Sequence, residues 1–133
     1  MDRPISTLMQ PRVQGVGMDD SVEDVERLFA EHQLSWAPVL DPGGGVLGVI
    51  SAADLTRYRV QGLASAATRA WQLCTYRPIV VGPDAPLAEV ARQMVEGRIH
   101  HVVVMERDRL AGVVSSLDFV RAFVDPHRAE AGR

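Results

Sequence analysis

The chain contains no lysine, a single cysteine and no long apolar run. Its 14 basic residues are all arginine, and 17 acidic residues outnumber them, which gives a net charge of −3. A nucleic-acid-binding protein usually carries a basic face and a high isoelectric point, so this balance argues against that class. The exclusive use of arginine indicates a GC-rich coding sequence and favours a bacterial source.

The lone cysteine, Cys74, excludes an internal disulfide bond and a multi-cysteine metal site. Cys74 corresponds to Met9 in an internal repeat of the chain, and we therefore predict that Cys74 packs in the interior. The first residues lack the apolar run of a secretory signal, and no segment approaches the ~18 apolar residues of a membrane span. We therefore predict a small cytoplasmic globular protein without a membrane-spanning helix.

Signatures of catalysis are also absent. The sequence has no P-loop, no Gly-x-Gly-x-x-Gly segment that leads from a strand into a helix, and no zinc-protease motif. Its four histidines are scattered rather than grouped with a nucleophile. We therefore predict that the chain is not an enzyme, has no catalytic residue, requires no cofactor and holds no metal ion.

What the sequence does contain is an internal repeat. Residues 48–55, GVISAADL, recur 64 residues later as GVVSSLDF at 112–119. Further upstream the shift is 65 residues, because DPGGG at 41–45 is one residue longer than ERDR at 106–109. A change of one residue at a hairpin tip is readily tolerated. Two copies indicate a pair of related units rather than a long array.

Each copy predicts the element order β-α-β-β-α. In the first copy, Ser21 is a good helix N-cap with Asp24 three residues later. In the second copy, a helix begins near Pro86 and carries apolar residues at helical spacing. Those residues are Leu87, Val90, Ala91, Met94 and Val95. Extended segments at 13–17 and 78–81, strands at 36–40, 46–50, 101–105 and 110–114, and closing helices near 52–60 and 116–124 complete the two copies.

The predicted fold class is mixed α/β (α+β), with two β-α-β-β-α repeats related by a pseudo-twofold axis. We place the first repeat at 1–60, a small and polar linker at 61–69 and the second repeat at 70–124. Residues 125–133 are predicted to form a flexible C-terminal tail.

Both copies end in the pattern Gly-h-h-Ser-x-x-Asp, in which h is apolar, at 48–54 and 112–118. Together with the lead-in segments at 5–25 and 70–90 and the strand APVLD at 37–41, this pattern resembles a tandem pair of cystathionine β-synthase (CBS) domains, a Bateman module. The resemblance implies two symmetry-related clefts that bind AMP, ADP, ATP, NAD or S-adenosylmethionine as a regulatory ligand. It also implies a homodimer and an effector protein.

The two Ser-x-x-Asp motifs supply the first candidate site residues. Ser51 and Ser115 are expected to cap helices, with Asp54 and Asp118 facing the positive helix ends. The resemblance adds a second role, because this aspartate binds the ribose hydroxyls in the family, and a carboxylate can accept from both. We expect Asp118 to be the main ligand-binding carboxylate and Asp54 to contribute less.

A histidine pair distinguishes the second copy. His100 and His101 resemble a basic pair in the regulatory γ subunit of AMP-activated kinase that contacts nucleotide phosphates. Neighbouring residues on a strand point to opposite faces, so a shared metal ion is not expected. The alternative is that both are partly solvated polar residues at a strand edge. The first copy has Ser35 and Trp36 there, and Trp36 is predicted to pack rather than to stack on a base.

The resemblance also assigns the adenine edge to backbone groups of the first extended segments. The matching residues are Arg77, Pro78, Ile79 and Val80 in the second copy and Arg12, Val13, Gln14 and Gly15 in the first. Arg77 and Arg12 lie in register, and either side chain can reach a phosphate.

Two functions remain open from the sequence. The leading hypothesis is a stand-alone adenine-nucleotide sensor that signals to a partner protein, and the alternative is a ligand-free module for dimerisation or protein interaction. For the homodimer we expect contacts through the closing helices. The candidate surface residues are Leu55, Tyr58, Phe119, Val120 and Phe123.

Overall fold

The computed structural model describes residues 3–11, 13–62, 67–76 and 78–125. Apart from an additional two-residue strand at Thr75–Tyr76, its elements confirm the order β-α-β-β-α in both copies, with a short helical turn ahead of each. They are a 3-10 turn (Ile5–Thr7), β1 (Val16–Gly17), α1 (Val22–His32), β2 (Trp36–Leu40), β3 (Val46–Ser51), α2 (Ala52–Val60), α3 (Ala70–Leu73), β4 (Thr75–Tyr76), β5 (Val80–Val81), α4 (Leu87–Gly97), β6 (His101–Glu106), β7 (Arg109–Ser115) and α5 (Ser116–Val124).

The chain forms two compact units whose boundaries differ from those of the sequence repeats. One unit is continuous, Gln14–Pro78, and we call it the central unit. The other joins Met1–Val13 to Ile79–Arg133, and we call it the split unit. The lead-in segment of the first copy therefore belongs to the unit built around the second copy. Of the predicted linker and tail, residues 63–66 and 126–133 lie outside the described residues.

The central unit is a four-stranded sheet covered by helices. The strand order is β1-β2-β3-β4, with β1 parallel to β2 and the other neighbours antiparallel. Apolar residues of the strands and of α1, α2 and α3 form one buried cluster. It contains Val16, Val22, Val25, Phe29, Ala37, Val39, Ile50, Leu55, Tyr58, Ala70 and Cys74. Tyr58 is the largest of these side chains, and its hydroxyl donates to Thr68 Oγ1 over 2.8 Å, so its polar tip is satisfied.

The split unit has a three-stranded sheet, β5-β6-β7, with β5 parallel to β6 and β6 antiparallel to β7. The N-terminal segment completes it, because Gln10 and Val113 exchange backbone hydrogen bonds of 2.8 and 3.2 Å. The Ile5 N–H also donates to the Ala85 carbonyl over 2.7 Å. The core combines both parts of the chain. It contains Ile5, Leu8, Leu87, Val90, Met94, Val102, Val104 and Val114.

The first helix of each copy has a clear local stop signal, and α1 also has a clear start signal. Ser21 caps α1 as predicted, because its side chain accepts the Asp24 N–H over 3.1 Å. Both helices end on a left-handed residue, Gln33 after α1 and Arg98 after α4, with φ of 54° and 53°. The repeat therefore extends to the conformation of the helix ends.

The apolar stripe predicted on α4 is narrower in the structure. Leu87, Val90 and Met94 are buried, whereas Val95 is 77% exposed. Val95 follows Leu87 by eight residues, which at about 100° per residue places it about 80° around the helix from Leu87, on the side away from Val90 and Met94. The prediction was wrong for Val95 because the core side of α4 spans a smaller arc.

The closing helices expose fewer of the apolar residues than we predicted for a dimer surface. Leu55 and Tyr58 are 7% and 2% exposed and belong to the core of the central unit. Phe119 packs against the core of the split unit, whereas Val120 and Phe123 are 54% and 88% exposed. The prediction of a surface role was therefore wrong for Leu55, Tyr58 and Phe119, because the inner faces of α2 and α5 cover their own sheets.

The glycine that opens each Gly-h-h-Ser-x-x-Asp motif permits a close backbone approach. A Cβ at Gly48 would lie 2.5 Å from the Thr75 carbonyl oxygen, and one at Gly112 would lie 2.7 Å from the Gln10 carbonyl oxygen. Cys74, which is buried as predicted, also lies against Gly48, at 3.1 Å from that Cβ position. In each unit the lead-in segment of the other copy crosses the motif at a point where any side chain on the glycine would collide with backbone.

We expect Gly112→Ala to lower the free energy of unfolding by about 1–3 kcal/mol, the range for overpacking a tight site. Gly82→Ala is the matched control in the same unit, because a Cβ there meets nothing within 4 Å. Urea unfolding followed by circular dichroism measures both variants. Equal stabilities of the two variants would contradict the close-approach explanation.

Candidate functional site

The structure brings four predicted residues together in the split unit. His101 at the start of β6 pairs with Ser115 at the end of β7. The next residue, Ser116, donates its N–H to the carbonyl of His100 over 2.9 Å. Asp118 lies in the first turn of α5. We call this group, with its partner Gln10, the Asp118 site.

The carboxylate of Asp118 forms a reciprocal cap with Ser115. Asp118 Oδ2 accepts the Ser115 N–H over 2.8 Å and the Ser115 hydroxyl over 3.1 Å. Ser115 Oγ accepts the Asp118 N–H over 3.3 Å. The residue is only 7% exposed, so its charge is held by these bonds and by the positive end of α5. The predicted capping role is confirmed.

The second carboxylate oxygen of Asp118 has a partner that the sequence did not suggest. Gln10 Nε2 donates to Asp118 Oδ1 over 3.0 Å. Arg121 Nη1 lies 3.8 Å from the same oxygen, beyond hydrogen-bond distance, and its side chain is 67% exposed. The spacing of Asp118 and Arg121 on one helix could have been found from the sequence. The Gln10 contact could not, because 108 residues separate the two.

The central unit repeats the cap with a different outer partner. Asp54 Oδ2 accepts the N–H and the hydroxyl of Ser51 over 2.8 and 3.0 Å, and Asp54 is 8% exposed. Its Oδ1 forms an ion pair with Arg57 of the same helix. We call Ser51, Asp54 and Arg57, together with Trp36, the Asp54 site. The two sites share the cap and differ at the outward carboxylate oxygen.

The two histidines have unequal surroundings, as expected for neighbours on a strand. His100 is exposed and His101 is half-buried. Burial lowers the pKa of His101, the charge of His100 lowers it further, and the negative charge of Asp118 opposes both effects. The lowered pKa favours a neutral imidazole at pH 7, which has one donor and one acceptor nitrogen.

Trp36 takes the place of His101 in the central unit. It starts β2 and pairs with Ser51, just as His101 starts β6 and pairs with Ser115. The ring is half-buried. A large aromatic side chain at this register gives the Asp54 site no titratable group where the Asp118 site has an imidazole.

The remaining predicted residues lie on the first extended segments. Pro78 and Ile79 are half-buried and Val80 is 49% exposed. The Ile79 carbonyl accepts the Val103 N–H over 2.9 Å and thereby takes part in the parallel strand pair. In the first copy, half-buried Val13 and exposed Gln14 fall in different units. Arg12 and Arg77 lie outside the described residues.

The described residues also bear on metal binding and on membrane insertion. Among them, no group of three or more His, Cys, Asp or Glu side chains is arranged to hold a metal ion. None of the helices in this part of the chain combines the length and the apolar character that a bilayer crossing needs.

Comparison with known sequences identifies relatives of this arrangement. The CBS domain model matches residues 5–61 and 70–125, which includes both Ser-x-x-Asp motifs. A mitochondrial CBS domain-containing protein of Arabidopsis thaliana, CBSX3, is 32% identical over 120 residues. That match covers 86% of this chain and 58% of the relative, so the chain spans little more than half of the relative's length.

Solved structures show the same fold. An uncharacterized conserved protein from Pyrococcus horikoshii is 29% identical, with a TM-score of 0.82 over 92% of this chain and 93% of the other. CBSX2, solved in complex with AMP, is 27% identical, with a TM-score of 0.80 over 93% of this chain and 98% of the other. Because the CBS domain model matches both repeats, the chain belongs to the CBS domain family and carries two CBS domains in tandem.

Proposed function

We propose that this protein is a non-catalytic regulatory module that binds an adenosine-containing ligand at the Asp118 site and signals to a partner protein in the cytoplasm. The observation that carries the proposal is the buried Asp118 carboxylate beside the half-buried imidazole of His101. An ionised carboxylate accepts hydrogen bonds from sugar hydroxyls, and imidazole and backbone N–H groups are suitable partners for a phosphate.

Adenosine monophosphate is the first ligand to test. CBSX2 was solved with AMP, and the similarity to this chain covers nearly the whole of both proteins. ADP, ATP, NAD and S-adenosylmethionine extend the panel, because each carries the same adenosine group. We propose that the ribose hydroxyls bind Asp118 and that Ser115, His100, His101 and the backbone of Ile79 and Val80 line the remainder of the site.

The Asp54 site is the weaker of the two in this proposal. Its carboxylate is equally buried and equally capped, but its outward oxygen is already paired with the guanidinium of Arg57. Trp36 stands where His101 stands in the other unit. Ser51 and Gln14 complete our proposed contacts for a second ligand in the central unit. Phosphate binding requires donors to replace water, and the Asp118 site offers an additional imidazole.

We expect Asp118→Ala to weaken AMP binding by at least about tenfold, equivalent to about 1.4 kcal/mol. Asp54→Ala should weaken it much less. The two variants lose the same reciprocal cap, so each serves as the stability control for the other. Isothermal titration calorimetry at a temperature where both variants are folded gives the affinities. A larger loss from Asp54→Ala would assign the main site to the central unit instead.

A thermal-shift panel tests whether the module binds any of these ligands. A ligand that binds the folded state raises the melting temperature by mass action. We expect a rise with AMP at millimolar concentration. No response to AMP, ADP, ATP, NAD and S-adenosylmethionine would favour the alternative function, a ligand-free interaction module.

We also propose a homodimer that covers the outer face of α5. Leu117, Val120 and Phe123 on this face are 50%, 54% and 88% exposed. The corresponding positions of α2 hold Ala53, Thr56 and Arg59, so the apolar face is specific to the second copy. Closed twofold symmetry, the usual arrangement of homo-oligomers, would pair this face with itself.

Light scattering after size exclusion should give the mass of two chains at micromolar concentration. Phe123→Ser should shift the mass toward one chain, because it removes the most exposed aromatic side chain of the face. Val60→Ser is the control, since Val60 is similarly exposed, at 83%, at the end of the corresponding helix α2. A wild-type mass of one chain, or an equal effect of both variants, would contradict this interface.

A further inference from the structure

Gln10 occupies a carboxylate oxygen of the proposed ligand site. We propose that the Gln10 amide is a built-in competitor of the ligand's ribose hydroxyls at Asp118, and that it sets both the affinity of the site and its preference for a vicinal diol. This inference rests on the proposed function, and the experiment below separates the failure of one from the failure of the other.

The competition follows from the number of hydrogen bonds that Asp118 can accept. An ionised carboxylate has about four acceptor positions. Within the described residues, the Ser115 N–H and hydroxyl bind Oδ2, and the Gln10 amide binds Oδ1. One position therefore remains, whereas a ribose diol presents two hydroxyl donors. A diol can bind through both hydroxyls only if one of the existing donors leaves.

Gln10 is the donor that can leave at low cost. The two Ser115 bonds hold the first turn of α5, and Ser115 Oγ also accepts the Asp118 N–H, so their loss would open the helix cap. Gln10 is exposed, and its amide is uncharged and lies at the end of a flexible side chain. Its backbone stays fixed by the paired hydrogen bonds to Val113 while the side chain rotates away.

The central unit lacks this competitor. Thr75 pairs with Val49 in β3 as Gln10 pairs with Val113 in β7, so the two residues occupy the same register. Among the described residues, the Thr75 side chain makes no hydrogen bond to Asp54. Arg57 holds the outer oxygen of Asp54 instead, from the same helix and with a side chain that is 70% exposed. Thr75 therefore provides a matched control position.

The test compares wild type, Gln10→Ala and Thr75→Ala by calorimetry with AMP and with 2′-deoxy-AMP. We expect Gln10→Ala to tighten AMP binding by roughly 3- to 10-fold, which corresponds to the net value of one hydrogen bond. The gain for 2′-deoxy-AMP should be much smaller, because a single hydroxyl needs only the acceptor position that the wild type leaves open. Thr75→Ala should change neither affinity. Gln10→Met, which keeps the length of the side chain and removes its donor, should reproduce the gain if the alanine variant is unstable.

The possible outcomes separate the two proposals. If Gln10→Ala and Gln10→Met bind AMP no more tightly than the wild type, the proposed competition is overturned. AMP binding by the wild type would still support the proposed function in that case. An equal gain for both nucleotides would overturn the competition as well, because the effect would not depend on the diol. AMP binding by the Gln10 variants and no AMP binding by the wild type would support the proposed competition. No binding by any of the proteins would reject both the adenosine site and its competitor.

Discussion

The reciprocal bond between a serine and an aspartate at the strand-to-helix junction is the interaction on which each unit depends. An ionised carboxylate is costly to bury unless it is hydrogen-bonded, and the cap meets that requirement with one oxygen of the aspartate. It joins β3 to α2 and β7 to α5 without an intervening loop. The cap does not use the other oxygen, which binds Gln10 in one unit and Arg57 in the other, so the same carboxylate serves both the helix cap and the site.

The differences between the two sites come from the residues around this shared cap. Asp54 and Asp118 have the same burial and the same serine contacts, and therefore the same basic chemistry. The guanidinium of Arg57 pairs with the outward oxygen of Asp54, whereas the amide of Gln10 donates to that of Asp118 and the Arg121 guanidinium stays 3.8 Å away. The amide comes from a segment that is distant in sequence, whereas the guanidinium comes from the same helix. Duplicated scaffolds can thus diverge in binding without any change in fold.

Local features of the fold were predictable from the sequence, and non-local contacts were not. The helices at 52–60 and 116–124 have the predicted bounds because their caps and their apolar spacing are local signals. The pairing of Arg57 with Asp54 follows the i, i+3 spacing and was available in principle. The contact of Gln10 with Asp118 depends on where the N-terminal segment packs, and no pattern of neighbouring residues encodes that.

The division of the split unit has a consequence for the order of folding during synthesis. The central unit is continuous, so its core is complete once residue 78 has been made. Ile5 and Leu8 can pack into their core only after Val90, Met94 and Val114 have been synthesised. The loop between these two parts of the chain contains the entire central unit. Closure of such a loop carries an entropy cost that grows slowly with its length. A central unit that folds first shortens the effective loop and brings the two parts of the split unit closer together on the ribosome.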